Sequence, residues 1–367
     1  MERKFLATLI LVAMALGAGC ADILPGPPVA LPAIVPVEGA SLDPLPAHTF
    51  PFEGGEETIR IDPDPAVYAG AKGADRRLHL ARDLSREEWI PLYYRAFESE
   101  PHLEPFYADL LAALRDIRDR EGLDDDRYLE LIAVFVQSIP YRTDASIVEP
   151  KFPIETYVDR EGDCDDRSLL LAGLLAREGY GVALFYFEDE AHMAVGVQST
   201  GCHYRNTSLA YVETTNVSYV GIPPLALSNG VVLSSNPFVI PVGDGPRLYT
   251  GCDQIETIER ALSSSLARAG AFAPELAART RDIEAERESL EAFGTRLKAL
   301  SRDGEFLEYN RLVPEYNRKA REYNDAVQAY NALLAESRAA VDLHNHLVTH
   351  ACDRPGSYLR ARAYLAG

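Results

Sequence analysis

The sequence predicts an α+β fold, with helices packed on an antiparallel sheet, followed by a long antiparallel α-helical hairpin. Apolar residues recur at helical spacing between residues 110 and 136, and alternating β-branched and aromatic residues follow between 182 and 214. From residue 251 onward the pattern is helical alone, with heptad spacing. These patterns divide the 367 residues into an export signal over 1–20, a Pro-rich tether over 21–51, an α+β domain over 52–250 and the hairpin over 251–367.

The composition indicates a folded, acidic protein. Hydrophobic residues make up 47% of the chain and charged residues 25%, which excludes wholesale disorder. Lys and Arg number 36 against 56 Asp and Glu, so the formal net charge is -20 at pH 7. Acidic and basic residues are nearly equal in number over residues 275–367, and the excess of acidic groups lies in residues 1–274. Because such a charge repels phosphate backbones, the sequence argues against nucleic-acid binding.

The N-terminus has the pattern of an export signal. Arg3 and Lys4 precede an apolar run over residues 5–16, which is shorter than the roughly 20 residues needed to span a bilayer. Small residues and Cys20 follow, and this order resembles a lipobox, whose cysteine is acylated and becomes the mature N-terminus. We therefore expect an exported lipoprotein, anchored on the extracytoplasmic side of a membrane through Cys20. Ordinary cleavage and an uncleaved anchor are the alternatives.

A Pro-rich segment follows the signal. Prolines disfavour helices and central strands and favour extended polyproline conformations. The segment is therefore predicted to be a tether over residues 21–51 that holds the folded part away from the membrane. Its prolines are Pro25, Pro27, Pro28, Pro32, Pro36, Pro44, Pro46 and Pro51.

Local signals define the elements of the α+β domain. A short strand over residues 57–61 is followed by two prolines that end it, and Ser85 with Glu88 forms a capping-box pattern. Gly162 and Asp163 introduce a helix that Gly179 ends. Two further helices are marked by Leu110, Leu111, Leu114 and Ile117 and by Leu129, Ile132, Ala133 and Val136, and strands are predicted over 182–187, 192–198 and 209–214.

Two heptad runs predict the arms of the hairpin. Asp303 and Gly304 separate the runs and mark the tip, and Pro314 is expected to kink the second arm. The second run repeats Tyr followed by Asn; such stripes are usually packing seams, so we assign it to packing rather than to ligand binding. The repeats are Leu276, Ile283, Leu290 and Leu297 in the first arm and Tyr309, Tyr316, Tyr323 and Tyr330 in the second.

Three residues indicate nucleophilic catalysis: Cys164, His192 and Glu213. Cys164 lies at the start of a predicted helix, where unsatisfied backbone N–H groups favour the thiolate. Neighbouring aspartates oppose this, so a nearby imidazolium would be needed. His192 opens a strand and can supply it, and Glu213, at the end of the next strand, can hold the second ring nitrogen.

These motifs, in this order, resemble the transglutaminase-like superfamily, which has a papain-like fold and a Cys-His-Asp triad. The resemblance covers about residues 128–225, inside the predicted 52–250 domain, and favours the microbial extracytoplasmic type. It implies that Cys164 is the nucleophile, that His192 is the base, and that Glu213 stands where the family usually has Asp. It also implies an oxyanion hole formed by the Cys164 backbone N–H and an upstream side chain, Gln137 or Tyr141. The matching segments are Tyr141-Arg142 and residues 162–175, 179–183, 192–197, 211–215 and 221–223.

The resemblance implies a thiol hydrolase. Such a peptidase or amidase would act on a protein or peptide through a Cys164 thioester, without a cofactor. Two alternatives stay open: acyl transfer to an amine, which cross-links proteins, and a non-catalytic binding or scaffold module of the cell envelope. The helical hairpin is a candidate surface for an envelope partner.

We predict no metal site. Four aspartates invite a calcium interpretation, but the glycine falls at the wrong place for an EF-hand loop; they are Asp159, Asp163, Asp165 and Asp166. A second group, in which His346 and His350 lie one helical turn apart, has metal-like spacing, yet a solvated helix end explains it more simply; its members are His344, His346, His350 and Cys352.

The remaining cysteines predict one disulfide. Cys252 and Cys352 lie 52 and 48 residues from Gly304, so antiparallel arms of equal rise bring them together at the base of the hairpin. We therefore expect a Cys252–Cys352 disulfide, with Cys202 unpaired. Two free thiols, or Cys352 joining the nearby histidines on a metal, are the alternatives.

Overall fold

The computed structural model describes residues 29–80, 83–143, 148–227 and 229–366. The chain divides into two compact units, Met1–Glu256 with Ala351–Gly356, and Thr257–His350 with Ser357–Gly367. The predicted α+β class with antiparallel sheets is confirmed. The predicted signal over 1–20, with Cys20, lies outside the described residues. None of the described helices is long and apolar enough to cross a membrane.

The first unit holds all the strands of the described chain. In chain order its elements are β1 (Val29–Ala30), β2 (His48–Phe52), β3 (Gly55–Ile59), α1 (Pro65–Gly73), β4 (His79–Leu80), α2 (Arg86–Glu98), α3 (Glu104–Glu121), α4 (Asp125–Gln137), α5 (Pro153–Asp159), α6 (Cys164–Arg177), β5 (Gly181–Phe187), β6 (His192–Gln198), β7 (Leu209–Val212) and β8 (Phe238–Asp244).

A four-stranded antiparallel sheet and helix α6 form the centre of this unit. The strand order is β7-β6-β5-β8, and α6 packs against β5, β6 and β8 on one side and against α4 and α5 on the other. Leu169, Leu170 and Leu171 of α6 are fully buried although, as consecutive residues, they point in three different directions around the helix. A helix that is apolar on all sides belongs inside a core, so the start of α6 is held rigidly against the sheet.

The predicted tether over residues 21–51 is wrong for its described part, residues 29–51. This segment is paired through β1 with β4 and through β2 with β3. Ile34 and Phe50 are only 3% and 1% exposed, and the Val37 backbone N–H donates to the Ala66 carbonyl at 3.0 Å. Prolines exclude helix here, but they leave the apolar residues between them free to pack on the domain. The folded domain therefore begins well before residue 52.

The helices α7 (Cys252–Arg302), α8 (Phe306–Thr349) and α9 (Arg354–Ala366) complete the chain. The chain reverses between α7 and α8 at Gly304, whose φ is 80°. Within the second unit the two long helices run antiparallel: the rings of Phe293 and Tyr316 meet at 5.9 Å, and Arg268 pairs with Glu336 at 3.7 Å. Tyr316 therefore packs in the seam between the helices.

The predicted Cys252–Cys352 disulfide is wrong. Cys252 is bonded to Cys202, with their Cα atoms 5.3 Å apart, and Cys352 is a free, half-buried thiol. The equal-distance argument treated the hairpin as isolated, whereas Cys252 and Cys352 both belong to the first unit. There the Cys352 carbonyl accepts from the Glu53 backbone N–H at 3.1 Å, while Cys252 meets the loop between β6 and β7.

Candidate functional site

Helix α6 begins at Cys164 because two aspartates cap it reciprocally. The Asp163 side chain accepts from the Asp166 backbone N–H at 3.5 Å, and the Asp166 side chain accepts from the Asp163 N–H at 3.1 Å. Asp166 also accepts from the Lys151 backbone N–H at 2.6 Å, which ties this turn to the segment before α5. The capping box places Cys164 in the first turn, where backbone N–H groups lack helical partners.

Gly162 is required by the space around this turn. A Cβ at residue 162 would lie 2.9 Å from the Asp166 Cβ and 3.0 Å from the Thr156 Cγ2. Any side chain would therefore displace the first turn of α6 from its capping contacts. The Gly-Asp-Cys motif thus has a packing explanation for its glycine and a capping explanation for its aspartate.

His192 begins β6, next to the turn that joins β5 to β6. It pairs with Phe187 across the two strands, and the two rings stack with centroids 6.0 Å apart. Ala191, just before it, has φ 47°, a left-handed conformation that fits a tight turn. The strand pairing and the ring stacking together fix the direction of the imidazole.

The imidazole of His192 is held at Nε2 by a buried tyrosine and a buried glutamate. His192 Nε2 lies 3.2 Å from the Tyr211 hydroxyl and 3.5 Å from Glu213 Oε2. The Tyr211 hydroxyl donates to Glu213 Oε2 at 2.7 Å, so its only hydrogen is used there. The hydroxyl can then only accept from His192, which places the hydrogen on Nε2 and leaves Nδ1 of the neutral ring with a lone pair.

Glu213 is ionised in this environment. Its Oε1 accepts from the backbone N–H groups of Thr214 and Thr215, both at 2.9 Å, and from the Thr215 hydroxyl at 2.8 Å. Burial alone would raise its pKa, but hydrogen bonding and charge attraction from His192, with these donors, outweigh burial and lower the pKa to about 2. A charged carboxylate therefore faces the ring nitrogen of His192.

Tyr211 is the site residue that sequence reasoning missed. It is fully buried, and burial together with the charge of Glu213 raises its pKa well above the usual value, so the phenol stays protonated. The signal was present in the strand pattern, since residues two apart on a strand share one face and Tyr211 precedes Glu213 by two.

Arg167 and Ser168, which follow the cysteine motif, hold the turn after β7. The Arg167 guanidinium donates to the carbonyls of Thr214 and Thr215 at 2.6 and 3.1 Å. The hydroxyls of Ser168 and Thr214 lie 3.0 Å apart, and the Thr214 hydroxyl donates to the Cys164 carbonyl at 3.4 Å. Helix α6 and the turn that carries Glu213 are therefore locked together.

Cys164 and His192 line the same cleft at the end of the sheet. Their exposed fractions are 7% and 4%, so both side chains are buried at the base of this cleft. Helix α2, the start of α6 and the β5–β6 turn supply most of the walls. The other lining residues are Tyr94, Val148, Asp165, Tyr186, Glu188, Ala191 and Met193.

The thiol of Cys164 is neutral in the resting site. Burial and the charges of Asp165 and Asp163 raise its pKa well above the usual value, against an opposing hydrogen bond from the Met193 backbone. Burial therefore outweighs the helix-start effect that the sequence suggested. A thiol in this state needs a base that removes its proton during attack.

The structure places the two side chains predicted for the oxyanion hole in different environments. Gln137 donates through Nε2 to the Glu213 carbonyl at 2.8 Å and the Ser218 carbonyl at 3.3 Å, and its Oε1 accepts from the Ser218 N–H. Both ends of its amide are thus engaged in holding the chain after β7, which contradicts the oxyanion role. Tyr141 is 39% exposed and lies with its ring over the Arg167 guanidinium at 5.4 Å.

Within the described ranges, one group of three residues has potential metal-ligating atoms within 4.8 Å of one another: Asp163, Cys164 and Asp165. Burial, followed by the interaction with the neighbouring Asp163 carboxyl group, raises the pKa of Asp165. Asp159 is engaged by a tyrosine and two lysines, and Asp166 caps α6. The four aspartates therefore do not converge on one point.

Comparisons of the chain with protein-family models, with curated proteins and with solved structures find no match.

Proposed function

We propose that this protein is an extracytoplasmic thiol hydrolase, a peptidase or amidase of transglutaminase-like type that acts through a Cys164 thioester. One observation carries the proposal: Cys164 and His192 line one cleft, and the Tyr211 hydroxyl and Glu213 hold Nε2 of His192 from behind. This arrangement supplies a nucleophile, a base and a group that orients the base.

The proposed reaction begins with proton transfer from the Cys164 thiol to Nδ1 of His192. The sulfur attacks the carbonyl carbon of the amide, and the resulting tetrahedral intermediate expels the amine, which takes the proton from Nδ1. Water then attacks the thioester carbon and gives a proton to Nδ1. That proton returns to the departing sulfur, which releases the carboxylic acid and restores the thiol. Glu213 stabilises the imidazolium in both halves of the reaction.

The oxyanion of the intermediate needs donors at the start of α6. The Cys164 backbone N–H lies in the first helical turn, where no intrahelical carbonyl is available to it. Tyr141 is the second proposed donor: partial burial of its phenol, followed by the proximity of the acidic groups of Cys164 and Asp163, raises its pKa. Its hydroxyl hydrogen is therefore kept for donation.

The Cys202–Cys252 disulfide supports the proposed compartment. Structural disulfides persist outside the cytoplasm and are rare inside it. The export signal and a lipid anchor at Cys20 complete this part of the proposal, and the helical hairpin over 251–367 is then a surface for an envelope partner. The substrate would be a protein or peptide of the same compartment.

A binding or scaffold role is the competing proposal. The raised pKa of Cys164 favours it, since a buried neutral thiol beside two acids is a weak nucleophile when no base acts on it. Acyl transfer to an amine differs from hydrolysis only in whether an amine or a water molecule attacks the thioester.

The test is incubation of the purified mature chain with a mixture of synthetic peptides and a labelled primary amine, followed by mass spectrometry. We expect hydrolysed peptides with wild type and with Cys352→Ala, and none with Cys164→Ala. Amine-labelled peptides would show acyl transfer instead. Intact peptides with wild type would contradict catalysis and favour the scaffold role.

A further inference from the structure

The walls of the cleft beside Cys164 are aromatic and acidic. Tyr94 of α2 and Tyr186 of β5 supply two rings with centroids 5.7 Å apart, and Asp165 and Glu188 supply two carboxyl groups. Among the residues that the structure describes, no Lys or Arg lines this cleft. A ligand beside Cys164 therefore meets acceptors and ring faces but no Lys or Arg side chain from the lining of the cleft.

The Asp165 side of the cleft supplies carboxyl oxygens. The potential ligating atoms of Asp163, Cys164 and Asp165 lie within 4.8 Å of one another, so two carboxyl groups lie beside the nucleophile. Asp165 also acts on Tyr94, whose pKa is raised well above its usual value by burial and then by the charge of Asp165. Asp165 and Tyr94 are thus close neighbours on one wall.

The wall of the cleft that Glu188 forms carries an ion pair that is accessible to solvent. Glu188 pairs with Arg86, the first residue of α2, and both side chains are about half exposed, at 50% and 54%. Exposed ion pairs of this kind contribute little net free energy and exchange readily with solvent ions. A cation of a ligand can therefore replace Arg86 at Glu188.

Rings and carboxylates favour the same ligand chemistry. The faces of tyrosine rings attract cations, and carboxylates bind ammonium and guanidinium groups. Residues 1–274, which include the cleft, carry most of the net charge of -20, and such a field attracts cations toward the cleft. An anionic side chain would be repelled by Glu188 and by the acidic surroundings of the cleft.

We propose that the cleft selects peptides with a cationic side chain, an amine or a guanidinium, next to the amide that Cys164 attacks. This inference rests on the proposed function and adds its substrate class. The amine of lysine or of another diamino acid would lie between Asp165 and Glu188, against the rings of Tyr94 and Tyr186.

The test uses three peptides that differ at one position, which is Lys, Gln or Glu. Binding is measured on the full mature chain with Cys164→Ala, and turnover on the chain with Cys164 intact. We expect the Lys peptide to bind about tenfold more tightly than the Glu peptide, with the Gln peptide between them. The difference should shrink at high salt because exposed charges are screened.

Two variants with opposite effects make the test specific. Glu188→Gln removes one wall charge and should reduce the Lys-over-Glu preference about threefold, whereas Arg86→Ala frees Glu188 and should increase it by a similar factor. Asp116→Asn, an exposed acid of α3 outside the cleft, is the matched control and should change nothing. Equal binding of the three peptides, or variants that behave like the control, would overturn the proposal.

The outcomes separate this proposal from the proposed function. Turnover of all three peptides at one rate would agree with the proposed hydrolysis and would overturn the proposed selection for a cationic side chain. Charge-selective binding that responds to Glu188→Gln, with no turnover of any peptide, would contradict hydrolysis and still support a cation-binding cleft.

Discussion

The orientation of His192 depends on one hydrogen atom, the hydroxyl hydrogen of Tyr211. Because that hydrogen is donated to Glu213, the tyrosine oxygen faces His192 only as an acceptor. The second acceptor near Nε2 is the ionised Glu213. Both neighbours therefore select the same tautomer, with the lone pair of the neutral ring on Nδ1.

Tyr211→Phe should lower kcat and leave KM unchanged. The variant loses the hydroxyl that orients His192 but keeps the buried ring, and Tyr211 does not line the cleft. We expect a decrease of about 10- to 100-fold, part of what a positioned general base contributes. Steady-state kinetics measure it. Tyr204→Phe is the matched control, since Tyr204 packs on Tyr211 at 5.1 Å and should keep full activity. Equal kcat for the two variants would contradict the role of the hydroxyl.

Glu213→Gln should reduce turnover further, by roughly 10²- to 10⁴-fold. The three donors around Oε1 fix the carbonyl of the new amide there, which turns its NH₂ toward Tyr211 and His192. His192 Nε2 then meets a donor, and the tautomer with hydrogen on Nδ1 is favoured, which cannot act as the base. Turnover numbers, with circular dichroism to verify the fold, test this. A kcat within threefold of wild type would show that another residue orients the histidine.

At the scale of elements, the start of α6 could be predicted because its signals are local. Gly162, Asp163 and Cys164 follow one another, and capping depends on neighbours in the chain. The uses of Arg167 and Gln137 could not be predicted in the same way. Each contacts residues of the 213–218 segment, more than 40 positions away, so only the tertiary placement of that segment beside α6 and α4 reveals them.

The contact between β2 and α4 should make stability depend on pH. His48 Nε2 lies 2.7 Å from the Ser138 hydroxyl, and burial, followed by the charge of Arg160, lowers the pKa of His48 from 6.5 to about 4. The unfolded chain therefore binds a proton between these values that the folded chain does not. The free energy of unfolding should fall as the pH decreases from about 6.5 toward about 4.

Urea unfolding at pH 7.5 and pH 5.0 measures this dependence. His48→Gln keeps an N–H donor for Ser138 and removes the titration, so its stability should change less between the two pH values. His203→Gln, at an exposed histidine, should behave like wild type. Equal pH dependence in His48→Gln and wild type would contradict the assignment to His48.

At the scale of the whole molecule, the antiparallel α+β class could be predicted from periodicity, but the long-range pairings could not. Position along the hairpin suggested Cys352 as the partner of Cys252, whereas the first unit brings Cys202 to it. The packing of residues 29–51 could not be predicted from the sequence for a similar reason. Prolines disfavour helices and central strands locally, and burial of Ile34 and Phe50 depends on elements far along the chain.

The Cys202–Cys252 disulfide should be a major stabilising link. It joins residues 50 apart, and closing a loop of this length stabilises a fold by about 2–4 kcal/mol. We expect the double variant Cys202→Ala with Cys252→Ala to lose that amount in urea unfolding. Cys352→Ala removes a thiol without a disulfide and serves as the control. A greater loss from Cys352→Ala than from the double variant would refute the pairing.

The most direct test of the central claim is the rate at which a thiol-directed peptide probe, built to mimic an amide substrate, labels Cys164. If His192 removes the thiol proton during attack, wild type should be labelled at Cys164, and His192→Ala should react about 100-fold more slowly there. Cys352, read from the same mass spectra, serves as an internal reference whose labelling should be equal in both proteins. Equal labelling of Cys164 in the two proteins, or labelling confined to Cys352, would contradict the Cys164–His192 pair.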